Sequence, residues 1–240
     1  MKTKILLIIT ALLAFSSVGF AQVKITPKKV AYNRPKTVEN EYKRKFEITY
    51  PVVSGANGKK IEAILNYEKT FDFKLADQTK GEDTWLDSCD FTVNYNKNNV
   101  LDVTLQMEGS GAYPSVSTKY LVVNSKTGTR VKPADVFIKL DELAAMVKKA
   151  QKAEIKKATT DYLKDPDSKD FDASEYFNNA DFKADNLWAF TVGDKGITFR
   201  YNYEFPHVAL ALQPSGDYFY SWSQLKPYIK TDGLFASFAK

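Results

Sequence analysis

One imidazole and one thiol set the limits of the chemistry open to this chain: His207 is its sole histidine and Cys89 its sole cysteine. Zinc sites commonly draw two or three ligands from those residue types, so no metal centre is expected. A Ser-His-Asp relay could be built only around His207, and the Gly-x-Ser-x-Gly turn that presents a hydrolase nucleophile is absent. Glycoside hydrolysis needs only two carboxyl groups about 5–9 Å apart, and 29 acidic residues leave it open. Asp165, Asp167, Asp170 and Asp172 suggest calcium ligands, but the order of the EF-hand loop with its glycine is missing. The segment reads more simply as a solvated linker. Gly109-Ser110-Gly111-Ala112-Tyr113-Pro114 lacks the lysine and helix start of a phosphate loop. No cofactor is implied.

With ordinary catalytic constellations scarce, the chemistry that remains is contact. Tyr113, Pro114, Tyr203 and His207 sit at loop and strand-end positions, where binding residues concentrate. They are the candidate partner-binding residues. His207 beside Pro206 could equally be a strand-edge or loop histidine with no role.

The elements that must hold these residues are legible from periodicity. Tyr42 to Val52 alternates as a half-buried strand, and Ile61, Ile64, Leu65, Phe71 and Leu75 recur at helical spacing, so a helix is expected over 58–78. Cys89, Phe91, Val93 and Tyr95, then Leu101, Val103, Leu105 and Met107, are two period-2 runs around Lys97-Asn98-Asn99, which reads as a hairpin. Cys89 falls on its apolar face and is expected to be core. Val116 to Val123 has apolar residues on both faces and reads as a central strand. Residues 139–163 form a second helix with a Leu140, Leu143, Val147, Ala150, Ile155 stripe and a lysine-rich opposite side. Strands are then expected over 187–192, 197–205, 207–213 and 218–222, with Ser223 capping a last turn of helix. The sum is α+β: antiparallel sheets with two main helices packed against them.

The first 21 residues carry a basic start, an eleven-residue apolar run over 5–15 and small residues at Gly19 and Ala21. This is the order of a secretory signal peptide cleaved near Ala21. The run is too short for a membrane span, which takes about 20 residues. The chain is therefore expected to be secreted or periplasmic. A flexible or edge-lying segment is expected over 22–41, an N-terminal α+β half over 42–108 and a C-terminal α+β half over 109–240. The formal charge of +5 falls to +3 without Lys2 and Lys4, which is not a nucleic-acid binder's excess.

Four stretches together resemble a known family. These are Tyr50-Pro51-Val52-Val53-Ser54-Gly55 with the helix after it, the Gly109–Pro114 loop, Tyr120 through Thr127-Gly128 to Asp135-Val136-Phe137, and Tyr203–Ala209 with Ser223–Tyr228. The chain resembles the extracytoplasmic domain family of unknown function shared by lysozyme-sensing anti-sigma factors and polysaccharide deacetylases, where it lies outside the catalytic domain. Tyr113 stands where the family's loop often has histidine. The resemblance implies a two-part α+β envelope domain serving as a recognition surface. The expectation is a non-catalytic module for a cell-wall glycan or a protein such as a lysozyme-like hydrolase. The alternatives are a cell-wall glycan hydrolase using paired carboxylates and a structural envelope protein.

Overall fold

The computed structural model describes residues 23–36, 43–81, 84–111, 113–164 and 172–239. The signal-peptide reading and, of the candidate calcium ligands, Asp165, Asp167 and Asp170 lie outside them. The centre of the fold is the hairpin of β3 (Leu86–Lys97) and β4 (Val100–Ser110). Asn98 and Asn99 both take positive φ, 54° and 62°, the two-residue turn whose twist matches its strands. From this hairpin the sheet grows on both sides. β5 (Pro114–Asn124) pairs along the whole of β4, and β6 (Thr129–Arg130) adds two residues to it. On the other side β2 (Lys45–Ser54) runs parallel to β3 through Glu47–Ser88 and Ile48–Cys89, and β1 (Lys24–Asn33) pairs antiparallel with β2. The order is β1-β2-β3-β4-β5-β6. Within the segment expected to be flexible or edge-lying over 22–41, Lys24–Asn33 is a regular edge strand.

A parallel pair needs a crossover, and the chain supplies it with α1 (Gly58–Ile64), α2 (Tyr67–Phe71) and α3 (Leu75–Lys80). The single helix expected over 58–78 is broken twice by side-chain and backbone chemistry. Asn66 turns back to accept from the Lys69 N–H at 2.9 Å and starts α2, and Asp72 ends it in the left-handed conformation. Ile61, Leu65 and Tyr67 bury against Phe46, Ile48, Cys89, Leu101, Val103, Leu105, Leu121 and Val123 as a first core. Cys89 is 1% exposed, and burial pushes its thiol up to about 12.

The opposite face carries the second core. α4 (Pro133–Val136) and α5 (Leu140–Tyr162) lead to α6 (Ala173–Phe177), then β7 (Phe190–Gly193), β8 (Gly196–Arg200), β9 (Asp217–Ser221) and α7 (Trp222–Leu225). β7, β8 and β9 form an antiparallel sheet in that order. Leu143, Ala144 and Val147 of α5 pack with Phe137, Phe190, Phe199 and Phe235. Tyr95 and Val100 of the first sheet join them, so the central sheet serves both cores. The boundary expected at 108/109 falls inside β4, and β5 from the supposed second half completes the first core. Two strand readings also change. The 197–205 strand stops at Arg200, and 207–213 is a 3-10 helix, His207–Leu212. Glu204 has φ +55°, and Pro206 removes a donor just before the turn, so neither segment continues a ladder. The last helix is capped by Ser221, whose side chain accepts from the Gln224 N–H, and not by Ser223. No helix among the described residues is long and apolar enough to cross a membrane.

Candidate functional site

Alternation along β5 sends Leu121 and Val123 to the first core and Val122 to the second. Tyr120 belongs to the row of Val122. At its other end β5 begins with Pro114, which is exposed, and Tyr113 just before it is 61% exposed. His207, the first residue of the 3-10 helix, lays its ring on Tyr113, with centroids 4.5 Å apart and planes 20° from parallel. Two residues 94 positions apart thus form one stacked ledge facing solvent, with Pro114 beside it. Leu210, 47% exposed, lies one turn further along the 3-10 helix.

Tyr203 does not join them. It is 9% exposed, packed with Phe205 and Ala209 under α6, and its hydroxyl donates to Glu154 of α5 at 3.1 Å. Tyr218 also donates to Glu154 at 2.7 Å, and the two phenol oxygens are 2.8 Å apart. Burial drives both phenols well above their usual range. Ser215 Oγ and the Gly216 N–H add two more donors to the other carboxylate oxygen. Glu154 is therefore a fastener between α5 and the 201–216 connection, not a free acid.

A second polar cluster, which periodicity alone did not single out, lies where the sheets meet. The β3–β4 register shifts between Val93 and Tyr95, leaving Asn94 as the extra residue of a bulge. Its side-chain amide donates to Asp102 at 3.1 Å and to Thr104 at 2.8 Å. The other Asp102 oxygen accepts the Val192 N–H at 2.6 Å, tying β4 to β7. Asp102 is 0% exposed, and burial outweighs these donors and nearby Arg200 to push its carboxyl up to about 7. Arg200 pairs with Asp217 and sets its guanidinium over the Tyr120 ring, 5.3 Å from the centroid. The one hint in the sequence was a carboxylate between Leu101 and Val103 on a face that also carries Val100 and Val122.

Chemically, the ledge offers two ring faces for stacking, and the carboxylates just described are held by protein donors. Among the described residues no three His, Cys, Asp or Glu side chains converge as a metal site would require. A shallow depression of about 490 Å³ lies at the far end of β4, lined by Asn98, Asn99, Gly233 and Leu234 among others, away from the ledge.

By sequence the chain matches no known family and no curated protein. Crystal structures that share its fold include two of DUF3298 proteins. One is a DUF3298 family member from Bacteroides fragilis, with a TM-score of 0.54 and 13% identity, over 92% of this chain and 98% of that one. The other is a DUF3298 family protein from Pseudomonas aeruginosa, with a TM-score of 0.53 and 11% identity, over 87% and 94%. At such identity the likeness establishes a shared α+β fold.

Proposed function

We propose that this chain is an exported, non-catalytic recognition module of the cell envelope. Its contact surface is the ledge of Tyr113, Pro114 and His207, and its partner is a cell-wall glycan or a lysozyme-like protein. The observation that carries the reading is the exposed stack of two rings brought from distant parts of the chain. Rings left in water at the mouth of a strand are energetically useful mainly when something covers them, and aromatic faces suit sugar rings and partner side chains alike. The secretory order of the first 21 residues and the resemblance to extracytoplasmic sensing domains support the location. Tyr203 leaves the candidate set because its hydroxyl is engaged inside the fold.

The test is direct binding of the purified chain to soluble peptidoglycan fragments and to lysozyme, by calorimetry. Tyr113→Ala together with His207→Ala is expected to weaken the partner that binds by about tenfold or more, about 1.4 kcal/mol, with the fold intact by circular dichroism. Undiminished affinity in that variant would remove the ledge from the reading. Fractionation of cells producing the full chain checks the location: the mature form should begin at Gln22 and leave the cytoplasm.

A further inference from the structure

β5 is an unfinished edge. β6 reaches only Val123 and Asn124, with one further bond from the Val131 N–H to the Val122 carbonyl. That bond fixes which residues point outward. Backbone groups alternate sides along a strand, and the β4–β5 register runs unbroken from Pro114 to Asn124. The N–H and C=O groups of Val116, Thr118 and Tyr120 therefore face away from β4. Among the described residues no backbone hydrogen bond reaches them from another segment. The chain from Arg200 to His207 touches this stretch at both ends, through Arg200 on Tyr120 and His207 on Tyr113. Between those contacts Val116 is left 62% exposed, and Lys119 is exposed.

We infer that this edge binds an extended polypeptide strand that pairs with Val116–Tyr120 and carries an acidic side chain toward Lys119. The inference rests on the recognition reading above and gives its partner a chemistry. The row of alternating donors and acceptors is satisfied by another peptide backbone, at a spacing of about 3.3 Å per residue. Val116 offers an apolar surface for a β-branched cross-strand neighbour, and Lys119 supplies the charge preference. Natural edges are usually blunted by shortness, by proline or by lysine. Here Pro114 closes only the first position, and a single lysine stands in the exposed run.

The probe is a fluorescein-labelled synthetic peptide of alternating valine and threonine with a central glutamate, titrated against the full mature chain. Two N-methylated versions are made, each blocking one of the two alternating sets of amides. One set is expected to weaken binding by about tenfold or more and the other to leave it unchanged, because only one side of the added strand meets β5. Hydrogen exchange at the Val116, Thr118 and Tyr120 amides should be fast in the free chain and slow in the complex. Lys119→Glu should weaken this peptide, and replacing its glutamate by lysine should restore binding, which separates recognition from misfolding. Equal effects of the two methylated sets, or no peptide binding at all, overturn the inference. Protection of the three amides that grows with protein concentration alone also overturns it, by giving the edge to a second copy of the chain. If the peptide fails while the ledge variant still loses peptidoglycan or lysozyme, the recognition surface stands and only the strand partner falls.

Discussion

A carboxyl group with no access to water and a pKa pushed up to about 7 makes Asp102 the residue to which stability should respond most clearly with pH. The folded state holds the Asp102 proton more tightly than the unfolded chain does. Its contribution is therefore full below about pH 4 and is lost as pH rises through about 7. Urea melts of the wild type and Asp102→Asn should diverge accordingly. The variant is expected to gain on the order of 2 kcal/mol relative to the wild type between pH 5 and pH 8, since Asn keeps an acceptor for the Val192 N–H without a charge to bury. Parallel curves over that range would mean the carboxyl titrates normally. Glu154 stands in the opposite position, with donors from Tyr203, Tyr218, Ser215 and Gly216 already in place. Glu154→Ala strands buried phenols and should cost about 2–3 kcal/mol in the same melts. It should also speed amide exchange along 203–213.

Among the elements, the small three-stranded sheet depends on one close approach. A Cβ at Gly196 would stand 2.0 Å from the Tyr220 carbonyl oxygen, so β8 and β9 could not keep their spacing. Gly196→Ala is expected to destabilise by about 3 kcal/mol or more, read as a lower melting temperature. Which elements were legible follows from what periodicity measures. The β3–β4 hairpin was plain because its apolar and polar residues alternate in the sequence and its two-residue turn is Asn-Asn, whereas burial itself is continuous over Val100–Val103. Residues 201–205 alternate just as well, yet form no ladder. Tyr203 and Phe205 turn inward against Phe177, so the pattern records burial without strand pairing. The helix over 58–78 hid its breaks because Asn66 and Asp72 act through local hydrogen bonding and backbone conformation, which leave the apolar spacing untouched. Tyr113 and His207 could be chosen singly by residue type and position, but their stacking depends on the path of 200–207. Asp102 could not be singled out, since an aspartate alternating with Leu101 and Val103 reads as a solvated position and only the placement of β7 covers it.

At the scale of the molecule, one sheet serves two cores, and the second is assembled from remote pieces: Tyr95 from β3, Val147 from α5, Phe190 and Phe199 from the small sheet, and Phe235. Phe235 is 0% exposed and meets Phe137, Phe190 and Trp222 within 6.2 Å between ring centroids. Phe235→Ala should cost about 3–5 kcal/mol and raise binding of a hydrophobic dye, with the first core's Cys89 still shielded from thiol reagents. Simultaneous exposure of that thiol would mean the two cores melt as one. The lateness of Phe235 also bears on how the protein is made. On the ribosome, the sheet and its three crossover helices can gather as soon as β5 emerges, whereas the opposite side stays open until translation has passed Phe235. Between those two points, over residues 125–235, the nascent chain carries one gathered core and one open face, the form in which a chaperone would meet it.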